Sequence, residues 1–314
     1  MSSTSHPLAR RTFLRSGGAI LATAALTGTP SLFAQDLAWL DVASAGSARN
    51  MLEGPLKTAA AQTLHLNLRT HAQGADTVAR SLVDGTLLAD LFIPITASPM
   101  GIVMRSGKIQ TAWPIAATEL VLLYSPKSRF LAQFQAAAQG HANWWEILQQ
   151  SGIRIARSNP ANDPSGRAIF FMMMLAARKY GQPDLVEKVL GSPLNPAQVL
   201  SGGNTQARLQ SGEIDAMCVY KTGPANTGQP YISLPAEINL SRLHVRDEHP
   251  DLRLVVEDKT FYPEPLIFYA GILNNAPNPK GAAAFLAWLQ QEQAQALFLS
   301  NHFAAPGTST PIRA

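Results

Sequence analysis

The sequence predicts an α/β fold. Short apolar runs alternate with segments of helical spacing through most of its 314 residues, and strands separated by helices connect by right-handed crossovers into a mostly parallel sheet. With 46% hydrophobic and 15% charged residues the chain carries enough apolar surface for a sizeable core. A single cysteine excludes an internal disulfide framework and a cysteine-based zinc site, and Cys218 is expected to be an inert core residue.

In order, strand patterns fall at 40–44 (LDVAS), 64–68 (LHLNL) and 89–95 (ADLFIPI), with a helical stretch to about residue 61 and a helix near 76–83 between them. Further strands are expected at 119–125 (ELVLLYS), 153–158 (IRIARS), 216–220 (AMCVY), 253–256 (RLVV) and 266–273 (LIFYAGIL). Helical spacing returns at 143–150, at 167–179 and in a long closing segment, 279–299. The tail at 306–311 (PGTSTP) reads as a loosely attached end. A linker-free α/β chain of this length is either one large domain or two lobes whose chain crosses between them twice, and periodicity does not choose.

The N-terminus has a charged region with paired Arg10 and Arg11 followed by Phe13-Leu14, a weakly apolar stretch from Gly17 to Thr29, and small residues ending at Ala34. That order is a secretory signal peptide over residues 1–34, and the arginine pair resembles a twin-arginine export signal. Its apolar stretch is shorter than the about 20 residues a membrane span needs, so a periplasmic protein of about 280 residues is expected. Removing Arg10, Arg11 and Arg15 leaves 22 basic against 21 acidic residues. A mature charge of +1 takes away the electrostatic case for nucleic acid or an anionic membrane as partner.

In parallel α/β sheets ligands bind beyond the carboxyl ends of strands, where loops meet helix N-termini. Three junctions have suitable residues. Ser44-Ala45-Gly46-Ser47 follows the first strand, where small residues admit a ligand to the backbone and Ser47 adds a hydroxyl, although a helix N-cap reads equally well. The segment 157–166 (RSNPANDPSG) ends in Asp163-Pro164, an N-cap and first helical position, and presents the amides of Ser165, Gly166 and Arg167 at the positive end of a helix dipole. Tyr220 closes the strand 216–220 with a hydroxyl that either packs or donates.

Other features have plain structural readings. The glycines at 201–204 (SGGN) lack the lysine and spacing of a phosphate loop, Met172, Met173 and Met174 lie in an apolar helix, and one ring of Trp144-Trp145 is expected to pack inward. His71, His141, His244 and His249 show no metal-ligand spacing.

The stretch 211–240 (SGEIDAMCVYKTG…YISLPAEINL) resembles the periplasmic molybdate/tungstate-binding proteins of ABC transporters, in wording and spacing. Supporting matches are 143–148 (NWWEIL), 157–166, 89–93 (ADLFI) and 274–289 (NNAPNPKGAAAFLAWL). The resemblance implies the two-lobed periplasmic binding-protein fold with a double crossover hinge: lobe one from 36–118 plus 265–314, lobe two from 119–264. It implies a protein that captures a tetrahedral oxyanion for a permease, acts as a monomer, performs no chemistry and needs no cofactor. Ser47 would donate from one lobe, and the backbone at Ser165 and Gly166 with the Tyr220 hydroxyl from the other.

Three departures accompany it. Val219 stands where one branch of the family has a second metal-facing carboxylate beside the position of Asp163, so the Val-Tyr pair resembles the branch that holds a tetrahedral anion by hydrogen bonds. Ala75 replaces a ligand serine, which leaves a donor missing unless Thr77 or Gln73 supplies it. The family's usual continuation is also altered at Ile93-Pro94-Ile95-Thr96. Another solute in the same fold (sulfate, a metal complex or a small organic anion) is the alternative. An exported hydrolase would need a base beside Ser47 or Ser165.

Overall fold

A computed structural model describes residues 37–200 and 205–314. The export signal and the glycines at 201–204 lie outside the described residues. Twelve strands are β1 (Ala38–Ala45), β2 (Leu66–Gln73), β3 (Leu91–Ile93), β4 (Thr111–Ala117), β5 (Leu120–Tyr124), β6 (Ile155–Ala156), β7 (Ala216–Tyr220), β8 (Tyr231–Ser233), β9 (Leu254–Val256), β10 (Lys259–Phe261), β11 (Ile267–Ile272) and β12 (Ile312–Arg313). They form a six-stranded sheet ordered β12-β4-β11-β3-β1-β2, a four-stranded sheet ordered β6-β7-β5-β8, and the hairpin β9-β10.

The α/β architecture has two lobes, one on each of the larger sheets, but the sheets are mixed rather than mostly parallel. β1 runs parallel to β2 and β3, and β6 to β7, as helical crossovers require. β11 runs antiparallel to β3 and β4, and β5 antiparallel to β7 and β8. Both β5 and β11 directly follow a passage from one sheet to the other. At the passage Thr118 N–H donates to the Leu266 carbonyl at 2.9 Å, and Leu266 N–H to that of Leu240 at 3.1 Å, so the two connecting segments support each other. An ion pair between Lys221 and Glu119, 2.7 Å, lies beside them.

Several boundaries moved for local reasons. The helix Pro55–Leu64 runs on to His65, which closes it at φ 54°, and β2 therefore starts at Leu66 and extends to Gln73 in register with β1. The closing segment is two helices, Pro279–Leu289 and Glu292–Ser300, because Gln291 is extended between them. The tail is not loose: Ala304 bridges Ala117, β12 pairs with β4, and Ala314 N–H donates to the Gln110 carbonyl. Among the described residues the longest helix, Pro164–Lys179, buries Ile169, Phe170, Met172 and Met173, with Met174 half-buried, and is closed by Tyr180 followed by Gly181 at φ 64°. Trp144 is buried as expected, and Trp145 stacks on Tyr180.

Candidate functional site

The three junctions converge. A cavity of about 280 Å³ is lined from the first sheet by Ser47, Gln73, Gly74, Ala75 and Ile95, and from the second by Arg157, Ser158, Asp163, Ser165 and Met217 to Tyr220. Of the residues expected to bind ligand, Ser47, Ala75, Asp163, Ser165 and Tyr220 line it, whereas Thr77 and Gly166 do not.

Ser47 sits in a single turn, Gly46–Ala48, at the carboxyl end of β1. Its Oγ is buried and has no hydrogen-bond partner among the described residues, and the same holds for the Tyr220 hydroxyl at the end of β7. Two such orphaned groups would be costly in a closed core, and both belong to residues that line the cavity. Burial pushes the Tyr220 hydroxyl well above its ordinary pKa and the charge of Asp163 adds to the rise, so the phenol keeps its proton and remains a donor.

The two helix starts at the cavity differ from the sequence expectation. In the helix Pro164–Lys179 the first amides are already engaged: Ser165 N–H donates to Asp163 Oδ1 at 2.9 Å and Gly166 N–H to the Asp163 carbonyl at 3.1 Å. In this structure the Ser165 amide is thus engaged by the N-cap carboxylate and the Gly166 amide by the main-chain carbonyl of the same residue. Ser165 still presents its hydroxyl at the cavity wall, where it meets Ser158 Oγ at 3.0 Å. Gly166 has a packing role: a Cβ there would stand 2.4 Å from the Ser158 carbonyl oxygen. The helix Ala75–Asp84 opposite has Gly74 as N-cap and hence no side-chain cap. Its first amides therefore lack a side-chain partner at the cap, and Ala75 brings no hydroxyl to the cavity wall.

Sequence reading missed three groups. Ser158 adds a second hydroxyl. Arg157 is buried, lies over the Phe170 ring at 4.7 Å, and donates to Gln198 Oε1 and the carbonyls of Pro193 and Ser192. Burial lowers its pKa to about 10, so it is charged at neutral pH, and it has no carboxylate partner among the described residues. Its position directly after β6 was the available signal. Cys218 is buried, as expected, but also lines the cavity, and desolvation raises its thiol pKa far from the thiolate range. Among the described residues no group of three His, Cys, Asp or Glu is placed to hold a metal ion.

Polar residues of both lobes line one cavity, an arrangement suited to holding a solute. The family model of the bacterial extracellular solute-binding proteins matches residues 40–304, and the chain belongs to that family. It is accordingly a solute-binding protein rather than an enzyme. The molybdate/tungstate-binding protein WtpA of Thermococcus kodakarensis is 26% identical over 208 residues, 60% of this chain and 58% of its own length. The match thus spans less than two thirds of that relative. The periplasmic molybdate-binding protein of Azotobacter vinelandii is similar in fold, with a TM-score of 0.57 at 18% identity over 85% of this chain and 99% of its own. So is the sulfate-binding protein SubI of Mycobacterium tuberculosis H37Rv, with a TM-score of 0.57 at 14% identity over 86% of this chain and 88% of its own. Among the described residues no helix is long and apolar enough to cross a membrane.

Proposed function

We propose that this protein captures a tetrahedral oxyanion, molybdate or tungstate first, and delivers it to an ABC permease. The observation that carries the reading is the pair of buried hydroxyls, Ser47 and Tyr220, which lack partners among the described residues and belong to residues that line one cavity from two lobes. An oxyanion accepts hydrogen bonds from several directions and needs neutral donors rather than a paired cation. The uncapped helix start at Ala75 adds amides at the positive end of a dipole. The WtpA relatives support the choice of molybdate or tungstate.

In this reading the twin-arginine machinery exports the chain, the signal is removed, and the mature monomer works in the periplasm. Lobe one comprises 36–118 plus 265–314 and lobe two 119–264, hinged where Thr118 meets Leu266. Anion bridging both lobes favours the closed form.

A second reading, a different solute such as sulfate, a metal complex or a small organic anion, is favoured by the apolar Ala75, Ile95 and Val219 in the cavity wall. Thermal unfolding with molybdate, tungstate, sulfate and phosphate separates the two. Ligand at a thousand times its dissociation constant stabilises by about 4 kcal/mol. A raised midpoint with molybdate and tungstate alone supports the first reading. A shift with sulfate or with none of the four turns the site to another solute.

A further inference from the structure

Two arginines are buried among the described residues, and they differ in what balances their charge. Arg167 pairs with Asp76, its Nη1 2.7 Å from Asp76 Oδ2. Arg157, 4% exposed and part of the cavity wall, pairs with no carboxylate among the described residues. Its nitrogens meet neutral acceptors instead: Nε meets Gln198 Oε1 at 3.0 Å, Nη1 the Pro193 carbonyl at 2.7 Å and Nη2 that of Ser192 at 2.9 Å. Residues 201–204, which follow this segment, contain no acid.

Neutral acceptors satisfy the donors of a guanidinium and leave its charge in place. A buried charge without a counter-charge is costly, and the cost falls when an opposite charge comes near. Asp163 is the one carboxylate among the residues that line the cavity, and its Oδ1 accepts from the Ser165 amide rather than from Arg157. Arg157 thus offsets the field of Asp163 in a wall otherwise built of uncharged residues. A solute with negative charge supplies what the protein does not, and burial spares the attraction much of the salt screening that weakens surface charges. The guanidinium bonds to residues 192–198 and lies over Phe170, so it acts through its field and leaves hydrogen bonding to neutral donors.

We propose that Arg157 sets the charge preference of the cavity, favouring a doubly charged tetrahedral anion over a singly charged one of the same shape. This rests on the oxyanion reading and adds to it a residue that acts without bonding the solute. The test is calorimetric titration of the mature protein, near neutral pH, with molybdate, a dianion, and perrhenate, a tetrahedral monoanion. Arg157→Gln removes the charge. Gln198→Glu leaves the arginine in place and sets a carboxylate against its Nε, although it gives up the bond from Gln198 Nε2 to the Val189 carbonyl. Arg157→Lys keeps a charge and loses the planar fork. Circular dichroism checks that each is folded.

Coulomb energy is proportional to the charge of the solute, so a loss of about threefold for the monoanion becomes about tenfold for the dianion. Arg157→Gln and Gln198→Glu are each expected to show that pattern, and Arg157→Lys to keep the wild-type ratio. A loop merely disturbed by substitution would weaken both anions alike. Equal losses for the two anions in the folded variants, or unchanged affinities, overturn the proposal and leave the oxyanion reading intact. If Arg157→Gln does not fold, Gln198→Glu is read in its place. Where perrhenate binds too weakly to titrate, molybdate alone decides: Gln198→Glu must weaken it and Arg157→Lys must not. A wild type that binds neither anion overturns the oxyanion reading and this inference with it.

Discussion

Gly74 and Asn162 touch across the cleft: a Cβ on Gly74 would stand 3.3 Å from the Asn162 carbonyl oxygen and 3.8 Å from the Asp163 side chain. The backbone at Gly74 has φ −57° and ψ 128°, which any residue adopts, so the glycine serves the approach of the lobes and not the local conformation. Gly74→Ala should leave the unfolding midpoint of the ligand-free protein unchanged or slightly raised, since alanine restricts the unfolded chain. It should weaken ligand binding by about 1 kcal/mol, because the added methyl props the lobes apart. Calorimetric titration beside thermal unfolding checks both; unaltered affinity would show that the lobes meet elsewhere in the bound form.

The orphaned hydroxyls separate stability from binding. Removing a buried hydroxyl that bonds nothing forfeits no hydrogen bond in the ligand-free protein, so Ser47→Ala and Tyr220→Phe should each fold with at least wild-type stability. Each should weaken oxyanion binding by about 1–3 kcal/mol, the cost of leaving a buried acceptor unmatched. A Tyr220→Phe protein with wild-type affinity would take Tyr220 out of the site.

Asp163 combines two effects that one substitution resolves. Its Oδ1 caps the helix through Ser165, and its charge is felt at the Tyr220 hydroxyl. Asparagine keeps the cap, so Asp163→Asn should retain stability within about 0.5 kcal/mol, whereas Asp163→Ala should lose about 1 kcal/mol. Asp163→Asn should also bind a doubly charged anion more tightly, since a like charge leaves the cavity wall. A loss of affinity on Asp163→Asn would mean that the carboxylate itself contacts the solute.

How much of this was legible in the sequence depended on the range of the interactions. β7 was read residue for residue at 216–220 because its apolar run is bounded on both sides. β4 was missed because Pro114 breaks the strand pattern, and the structure accommodates it opposite Tyr269, where the register of β11 shifts. The mixed strand directions were not legible either, since they follow from where the chain passes between sheets.

At the cavity, local chemistry marked junctions that the fold brings together: Ser47, Asp163 and Tyr220 were picked out from strand ends and a helix start, and all three line it. What failed was the competition for hydrogen bonds. The Asp-Pro signature that announced a helix start at 164 also supplied the cap that engages its amides, while the uncapped start at Ala75 had no polar residue to announce it. Asp76 and Arg167 are 91 residues apart in sequence, and nothing in either segment indicates that they meet.

Asp215 links the second lobe to pH. Its carboxylate, fully buried, accepts from Ser128 Oγ at 2.7 Å and from the backbone and Nε of Arg154 at 2.9 Å each. Burial alone would raise its pKa, but the hydrogen bonds and charge of Arg154 with the Ser128 hydroxyl outweigh it and hold the value below the ordinary 3.8. A carboxylate depressed on folding contributes stability that is complete above its unfolded pKa and is lost as the pH falls through its folded one. Wild type should therefore lose this contribution only below about pH 3.8. Asp215→Asn should be about 1–3 kcal/mol less stable at pH 7, because it weakens charge-assisted hydrogen bonds to Arg154. Urea unfolding of both proteins from pH 7 to pH 3 provides the check. The gap between their stabilities should be constant down to about pH 4 and narrow below it; a gap that widens with acid would mean that the folded carboxyl titrates above its ordinary value and that burial, not Arg154, controls it.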